Sequence, residues 1–406
     1  MSEVCRTDAV IPSILQRTRR KLGGLPSDKS NGSTMRKVVN CRICAMNAIR
    51  SFLGGLIVAT MVLPSASCNE SPNGPGFGPK WRIFTTANSG LIDNSVHAIL
   101  ATGDGYVWIG TSGGASGFYK GSWRGIVDSL AFSLYSSGDS IISHEVSALA
   151  EGRDGSLWIG LHGGGVRRYQ RNSRSQREWI SYHVPDVPYE FITSIAANKF
   201  QQPGIVWVGT LFGVSEFTPS VVDTEFGAGV WTPFSDLVSH FDSRNVYAIC
   251  ADLYNGVAVF GTFSDLIVFD GARSLWSTVQ PKLAGPVVSL AYDKNASIWM
   301  GQWIGVSVHN LSNSNADAGF TTSSTGGKLP AGTVNAVTTD LGSIRWFGTN
   351  AGLACRKDTV WTIFTRSNSP KLASDTITAL AYDYSGNLWI GTPRGVSVYN
   401  AQGVVF

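Results

Sequence analysis

His144, Glu145, His162 and Glu190 are the residues of this sequence whose types most invite chemistry. Two imidazoles and two carboxylates in one stretch could pass a proton as general acid and base, and His144, His162 and Glu190 could share a divalent metal. Their spacing fits no diagnostic ligand motif, and the chain has no phosphate loop, nucleophile elbow or zinc signature. A second group suits holding a ligand rather than transforming it. Trp303, Phe212 and Phe263 offer flat apolar faces, and Arg244, Asn350 and Arg394 offer planar hydrogen-bonding groups, a mixture that fits a carbohydrate or a peptide. The competing reading is that these turn aromatics only cap a core.

Both groups are placed by a repeat. A block of the type Trp-Ile-Gly-Thr recurs seven times, with its glycine at 110, 160, 209, 261, 301, 348 and 391 and separations of 50, 49, 52, 40, 47 and 43 residues. That period is in the range of four-stranded propeller blades, about 40–50 residues each. Fourteen to seventeen residues before each glycine stands a β-branched residue, followed at the second position by alanine or serine: Val96/Ala98, Val146/Ala148, Ile192/Ser194, Val246/Ala248, Val287/Ser289, Val334/Ala336 and Ile377/Ala379. Apolar on both faces, this segment reads as the innermost strand, whose small residues suit the crowding near an axis. A second glycine four residues past the block's own glycine in six of seven copies allows the turn into a third strand. That strand ends in an aromatic in most copies, and His309 fills the same slot as a structural residue. The fourth strand opens with Trp123, Trp179, Trp231, Trp276, Phe320 or Trp361.

The thirteen tryptophans divide accordingly: six in second strands, six in fourth strands counting Trp81, and Trp303 left over. Large flat rings at repeating positions read as packing between blades. The seventh copy supplies three strands, so residues 81–85 are expected to complete it and close the ring. The fold class is all-β, a seven-bladed β-propeller. On such a ring the residues before each inner strand and the turns after each Trp-Ile-Gly-Thr block share one face around the channel mouth. Both candidate groups belong to that face, where the residues vary from copy to copy while the frame does not.

The pattern in Ile377 to Tyr399 and Val146 to Tyr169 resembles the two-component regulator propeller repeat, over essentially all of residues 81–406. The resemblance implies a periplasmic sensor, often tied to glycan sensing. The sequence stops after its seventh repeat, so the expectation is a sensor without its transmitter. Streptogramin-lyase propellers, also seven-bladed, use His and Glu for elimination, which makes a metal-assisted lyase or hydrolase the alternative. Their repeats read Trp-Phe-Thr rather than Trp-Ile-Gly-Thr.

Residues 1–67 hold ten basic and three acidic side chains, a charge of +7, so the chain's net +4 leaves residues 68–406 at −3. A weakly acidic folded part gives no support to nucleic-acid binding. Residues 52–63 form an apolar run preceded by basic residues and followed by Pro64-Ser65-Ala66-Ser67-Cys68. The run is too short to span the roughly 30 Å core of a bilayer and reads as the centre of a signal peptide. Cys68 then resembles the acylated cysteine of bacterial lipoproteins, although Ser65 stands where leucine is preferred. Residues 1–67 are thus a leader, with Met35 or Met46 as a start of ordinary signal-peptide length, and residues 68–80 are a Pro/Gly-rich tether. The expectation is a monomeric, exported binding module with a glycan, peptide or envelope protein as partner. It would be periplasmic, or anchored in the outer membrane only through a lipid at Cys68, or else secreted.

Overall fold

A computed structural model describes residues 79–124, 144–171, 177–198, 204–220, 229–234, 245–251, 256–293, 295–340 and 344–406. Cys68, Arg244, the leader and nearly all of the tether lie outside the described residues. Seven antiparallel four-stranded sheets are arranged as the repeat demands. Six take consecutive strands, from β2(Val96–Ala101), β3(Tyr106–Thr111), β4(Gly114–Tyr119) and β5(Ser122–Arg124) in blade one to β22(Val334–Thr339), β23(Ile344–Thr349), β24(Gly352–Lys357) and β25(Val360–Phe364) in blade six. Blade seven runs β26(Ala379–Tyr382), β27(Leu388–Thr392), β28(Gly395–Tyr399) and then β1(Trp81–Phe84), which pairs with β28 from Trp81↔Tyr399 to Phe84↔Val396. The first strand therefore supplies the outer strand of the last blade and closes the ring. Among the described residues no helix is long and apolar enough to cross a membrane.

The core lies between blades. Second strands such as β7(Leu157–Leu161) and β27 are buried at every position, and Trp158 and Trp389 are fully enclosed. Their indole N–H groups are satisfied from the preceding hairpin: Trp158 Nε1 donates to Ser156 Oγ at 2.9 Å and Trp389 Nε1 to Asp383 Oδ2 at 2.8 Å. Aromatics pair across the third and fourth strands, as in Phe118↔Trp123, Tyr169↔Trp179 and Phe269↔Trp276.

Three details depart from the sequence reading. The inner strands are only half-buried over much of their length, since one side lines the channel rather than a sheet. Phe320 does not open its strand: β21(Ala318–Phe320) places it opposite Val306, at the far end. The tryptophan slot of blade five goes instead to Asp317, which meets His309 Nδ1 at 2.9 Å, so an ion pair replaces an aromatic pair. In blade two the turn after the block holds one extra residue, because Gly160 pairs with Val166 where Gly110 pairs with Ala115. The left-handed turn position passes from Gly164 to Gly165, at φ 67°.

Candidate functional site at the channel mouth

The turn after a second strand and the lead-in to an inner strand meet on one face, and in several blades backbone bonds fix them together. Ser112 N donates to Ser95 O at 3.0 Å, His162 N to Glu145 O at 3.0 Å, and, across the ring seam, Gly395 N to Asn94 O at 2.8 Å. The turns after the second strands and the lead-ins to the inner strands thus form one rim.

Just below that rim the ladder slips. In six blades the pairing of first and second strands shifts at the β-branched column, between Val96 and Ala98, Val146 and Ala148, Ile192 and Ser194, and their counterparts. The residue at each slip, a β-bulge, is unpaired in the ladder and its side chain is re-aimed. Ser147 Oγ donates to Ile192 O at 2.5 Å, Thr193 Oγ1 to Val246 O at 2.5 Å, Asn335 Nδ2 to Ile377 O at 2.9 Å, and Thr378 Oγ1 to Val96 O at 2.6 Å. Each acceptor is the β-branched residue of the next blade, so these side chains stitch blade to blade around the mouth. Sequence reasoning passed over this column because it reads the residues on either side of it. The available signal was a polar residue in six of seven copies within an otherwise apolar strand.

In blade one the bulge residue is His97, and it changes the picture of the titratable group. His97 Nε2 lies 2.8 Å from Ser112 Oγ and 3.8 Å from Glu145 Oε1, while Glu145 Oε2 lies 3.7 Å from His162 Nδ1. One carboxylate thus stands between two partly exposed imidazoles. Glu190 is occupied elsewhere: its Oε2 lies 3.0 Å from His183 Nδ1 and its Oε1 accepts from Val184 N at 3.0 Å. Arg167 Nη1 lies 3.2 Å from His183 Nε2, and burial lowers the pKa of Arg167 against the opposing pull of Glu190. His144 is half-buried. The structure therefore joins Glu145 and His162, adds His97, and sets Glu190 with His183. Among the described residues no group of three His, Cys, Asp or Glu side chains could hold a metal ion.

The three turn aromatics are exposed. Phe212, Phe263 and Trp303 are 46%, 49% and 53% exposed, against essentially none for the buried second-strand tryptophans. They fall into two runs. Phe263 meets Trp303 edge to face at 6.5 Å, and Phe212 continues through Tyr189 at 4.6 Å and Phe191 at 5.1 Å to His162 at 4.8 Å. Asn350 is exposed and its Oδ1 accepts from Asn335 Nδ2 at 2.8 Å. Arg394 is exposed in the blade-seven turn, its backbone N held by Thr392 Oγ1 at 3.0 Å.

Residues 90–113 and 371–394, each spanning a lead-in, an inner strand and the block after it, match the two-component regulator propeller family. In these two segments the chain carries the two-component regulator propeller repeat. One matched segment overlaps the copy at Ile377 to Tyr399; the other is in blade one rather than blade two. No curated protein sequence matches the chain. Among solved structures it is similar to the extracellular domain of BT3049, a proposed hybrid two component system of B. thetaiotaomicron, at 15% identity and TM-score 0.61 over 79% of this chain and 42% of that one. It is similar to PorZ, a surface component of the type-IX secretion system of Porphyromonas gingivalis, at 17% identity and TM-score 0.58, covering 79% and 48%. Virginiamycin B lyase from Staphylococcus aureus follows at 12% identity and TM-score 0.55, covering 79% and 98%. The chain spans less than half the length of the first two, and at such identities the likeness is one of fold.

Proposed function

We propose that this propeller is an exported, non-enzymatic binding module that reads a glycan or peptide ligand on its mouth face. One observation carries the reading. The repeating residues are consumed by packing and by stitching the blades, whereas the non-repeating Phe212, Phe263 and Trp303 stand exposed in the turns of blades three, four and five, and Asn350 and Arg394 stand exposed in the equivalent turns of blades six and seven. Exposed aromatic platforms flanked by planar polar groups bind sugar rings and peptide backbones well. Export through the leader at residues 1–67, with Cys68 as a lipid anchor, sets the module outside the cytoplasm; extracellular and surface propellers of the same fold support that location.

A glycan and peptide array with the full chain tests the reading. A ligand should emerge whose affinity falls at least about tenfold in Trp303→Ala and in Phe263→Ala, the scale of a central aromatic contact. An empty array, or binding indifferent to both changes, defeats it. The lyase alternative rests on Glu145 between His97 and His162. Turnover of a candidate substrate that survives Glu145→Gln and His162→Ala removes that alternative.

A further inference from the structure

Six of the seven blades place a ring near the end of the third strand. Phe118, Tyr169, Phe217, Phe269 and Tyr399 each stand there opposite a tryptophan of the outer strand, and His309 holds the same place in blade five. Blade six puts Arg356 in that column, opposite Trp361.

A guanidinium is planar and stacks on aromatic faces, so an arginine can take a ring's place in a seam. The Cζ of Arg356 lies 4.7 Å from the centre of the Phe320 ring, 5.8 Å from that of Trp299 and 5.9 Å from that of Trp361. A phenyl ring in this place would be satisfied by such packing. A guanidinium also carries five N–H donors in its plane, and stacking leaves them unused. Its Nε is buried without an acceptor, and among the described residues nothing accepts from Nη1 or Nη2 and no carboxylate pairs with them. Burial pushes the pKa of Arg356 down and Arg345 adds to that, while Asp358 in the adjoining hairpin pulls it up without closing to an ion pair.

The other cations of the seams show what is missing. Arg168 Nη2 lies 2.7 Å from Asp154 Oδ2, and Arg345 Nη2 lies 2.8 Å from Asp293 Oδ2. His309, in the same column as Arg356, has its Nδ1 2.9 Å from Oδ2 of Asp317, which stands in the tryptophan slot of its blade. Blade six keeps a tryptophan in that slot, so the ring brings no carboxylate to Arg356. Arg345, opposite Arg356 across the two strands, adds a second guanidinium to the seam, and the local potential favours an anion. Arg356, Phe320 and Trp361 are only half-buried, which leaves the guanidinium accessible from outside. The place is at the end of β24 remote from the Asn350 turn, away from the mouth.

We propose that Arg356 is a docking point for a carboxylate side chain, aspartate or glutamate, of a peptide or protein partner, which supplies from outside the acceptor that Asp317 supplies to His309 from within. The two carboxylate oxygens accept parallel N–H bonds from the terminal nitrogens, the geometry in which guanidinium and carboxylate match best.

Calorimetric titration of the full chain with N-acetyl-aspartic acid methylamide, whose side chain bears its one charge, tests this. The asparagine analogue is the neutral isostere, and inorganic phosphate is a third arm. The aspartate compound should bind saturably, the asparagine compound at least about tenfold more weakly because the charge is gone, and phosphate no more tightly than aspartate. Arg356→Tyr gives blade six the ring that blades two and seven carry and should abolish the titration. Should that variant not fold, Arg356→Lys decides: it keeps the charge but loses the fork, and should weaken the aspartate compound about tenfold. No binding up to about 50 mM, equal affinity for the asparagine compound, tighter binding of phosphate, or a titration unchanged in either variant overturns the proposal.

Discussion

Gly110 marks the repeat in the sequence, and only the structure says why it must be glycine. A methyl group there would lie 2.5 Å from Val146 Cγ1, and one at Gly391 would lie 2.7 Å from Val96 Cγ1, in each case the β-branched residue of the next blade. The glycine is a point of close approach between blades, and its partner is one repeat away. A single-sequence reading finds the column and misses the contact, just as it found Val96 and Ala98 and passed over His97 between them. Gly110→Ala should destabilise by about 1–3 kcal/mol, the cost of forcing a methyl into a packed seam. Equilibrium denaturation measures it, and a neutral result would show that the seam can give way. Trp303 was legible for the opposite reason: it is the tryptophan that fits no repeating slot, and it is also exposed.

At the scale of strands, spacing and tryptophan positions were enough to assign seven blades and their closure, because each blade repeats the same burial pattern. What escaped were local substitutions within that pattern. His309 with Asp317 stands in for an aromatic pair, and the turn after the block in blade two holds an extra residue, since neither pairing register nor turn length is written in a periodic apolar column. Closure itself depends on β1. Trp81 packs at 4.6 Å from Tyr399 and 5.7 Å from Phe364, and Phe84 packs at 6.0 Å from Trp389. Trp81→Ala should therefore lower the stability of the whole ring by about 3 kcal/mol, near the low end for aromatic-to-alanine changes in a core. Hydrogen exchange tests this directly. Protection should fall together in β1 and in the distant β15(Val257–Thr262) of blade four; a loss confined to β1 and β28 would mean that the ring holds without its clasp.

For the molecule as a whole, the net charge says little about where electrostatics acts. The consequential charges are a few half-hidden carboxylates whose partners are distant in sequence, such as Asp293 with Arg345, and no motif announces them. Burial works against the charged form of Asp293, yet Arg345, Trp299 and the amides of Asn295 and Ser297 outweigh it and hold the pKa below the ordinary carboxylate value. Asp154 is lowered likewise, burial being outweighed by Arg168 and Ser156, and so is Asp317, burial being outweighed by His309 and the Asn310 amide. All three shift in the same direction, so the sign is unambiguous. Their folded pKa values lie below the unfolded value of about 3.9, so the unfolded chain binds more protons as the pH falls through this range. The stability they contribute is complete above about pH 5 and is lost as pH drops through the folded values. Since the Asp293–Arg345 pair joins blade five to blade six, its protonation loosens a seam of the closed ring, and cooperativity spreads the effect. Tm should be nearly flat from about pH 7 to 5 and should decline below about pH 4. Asp293→Asn should lower Tm at pH 7, because Arg345 keeps its charge in a buried place, and should flatten the acid decline. A thermal melt series in which this variant falls as steeply in acid as the parent would show that other groups govern the acid limb.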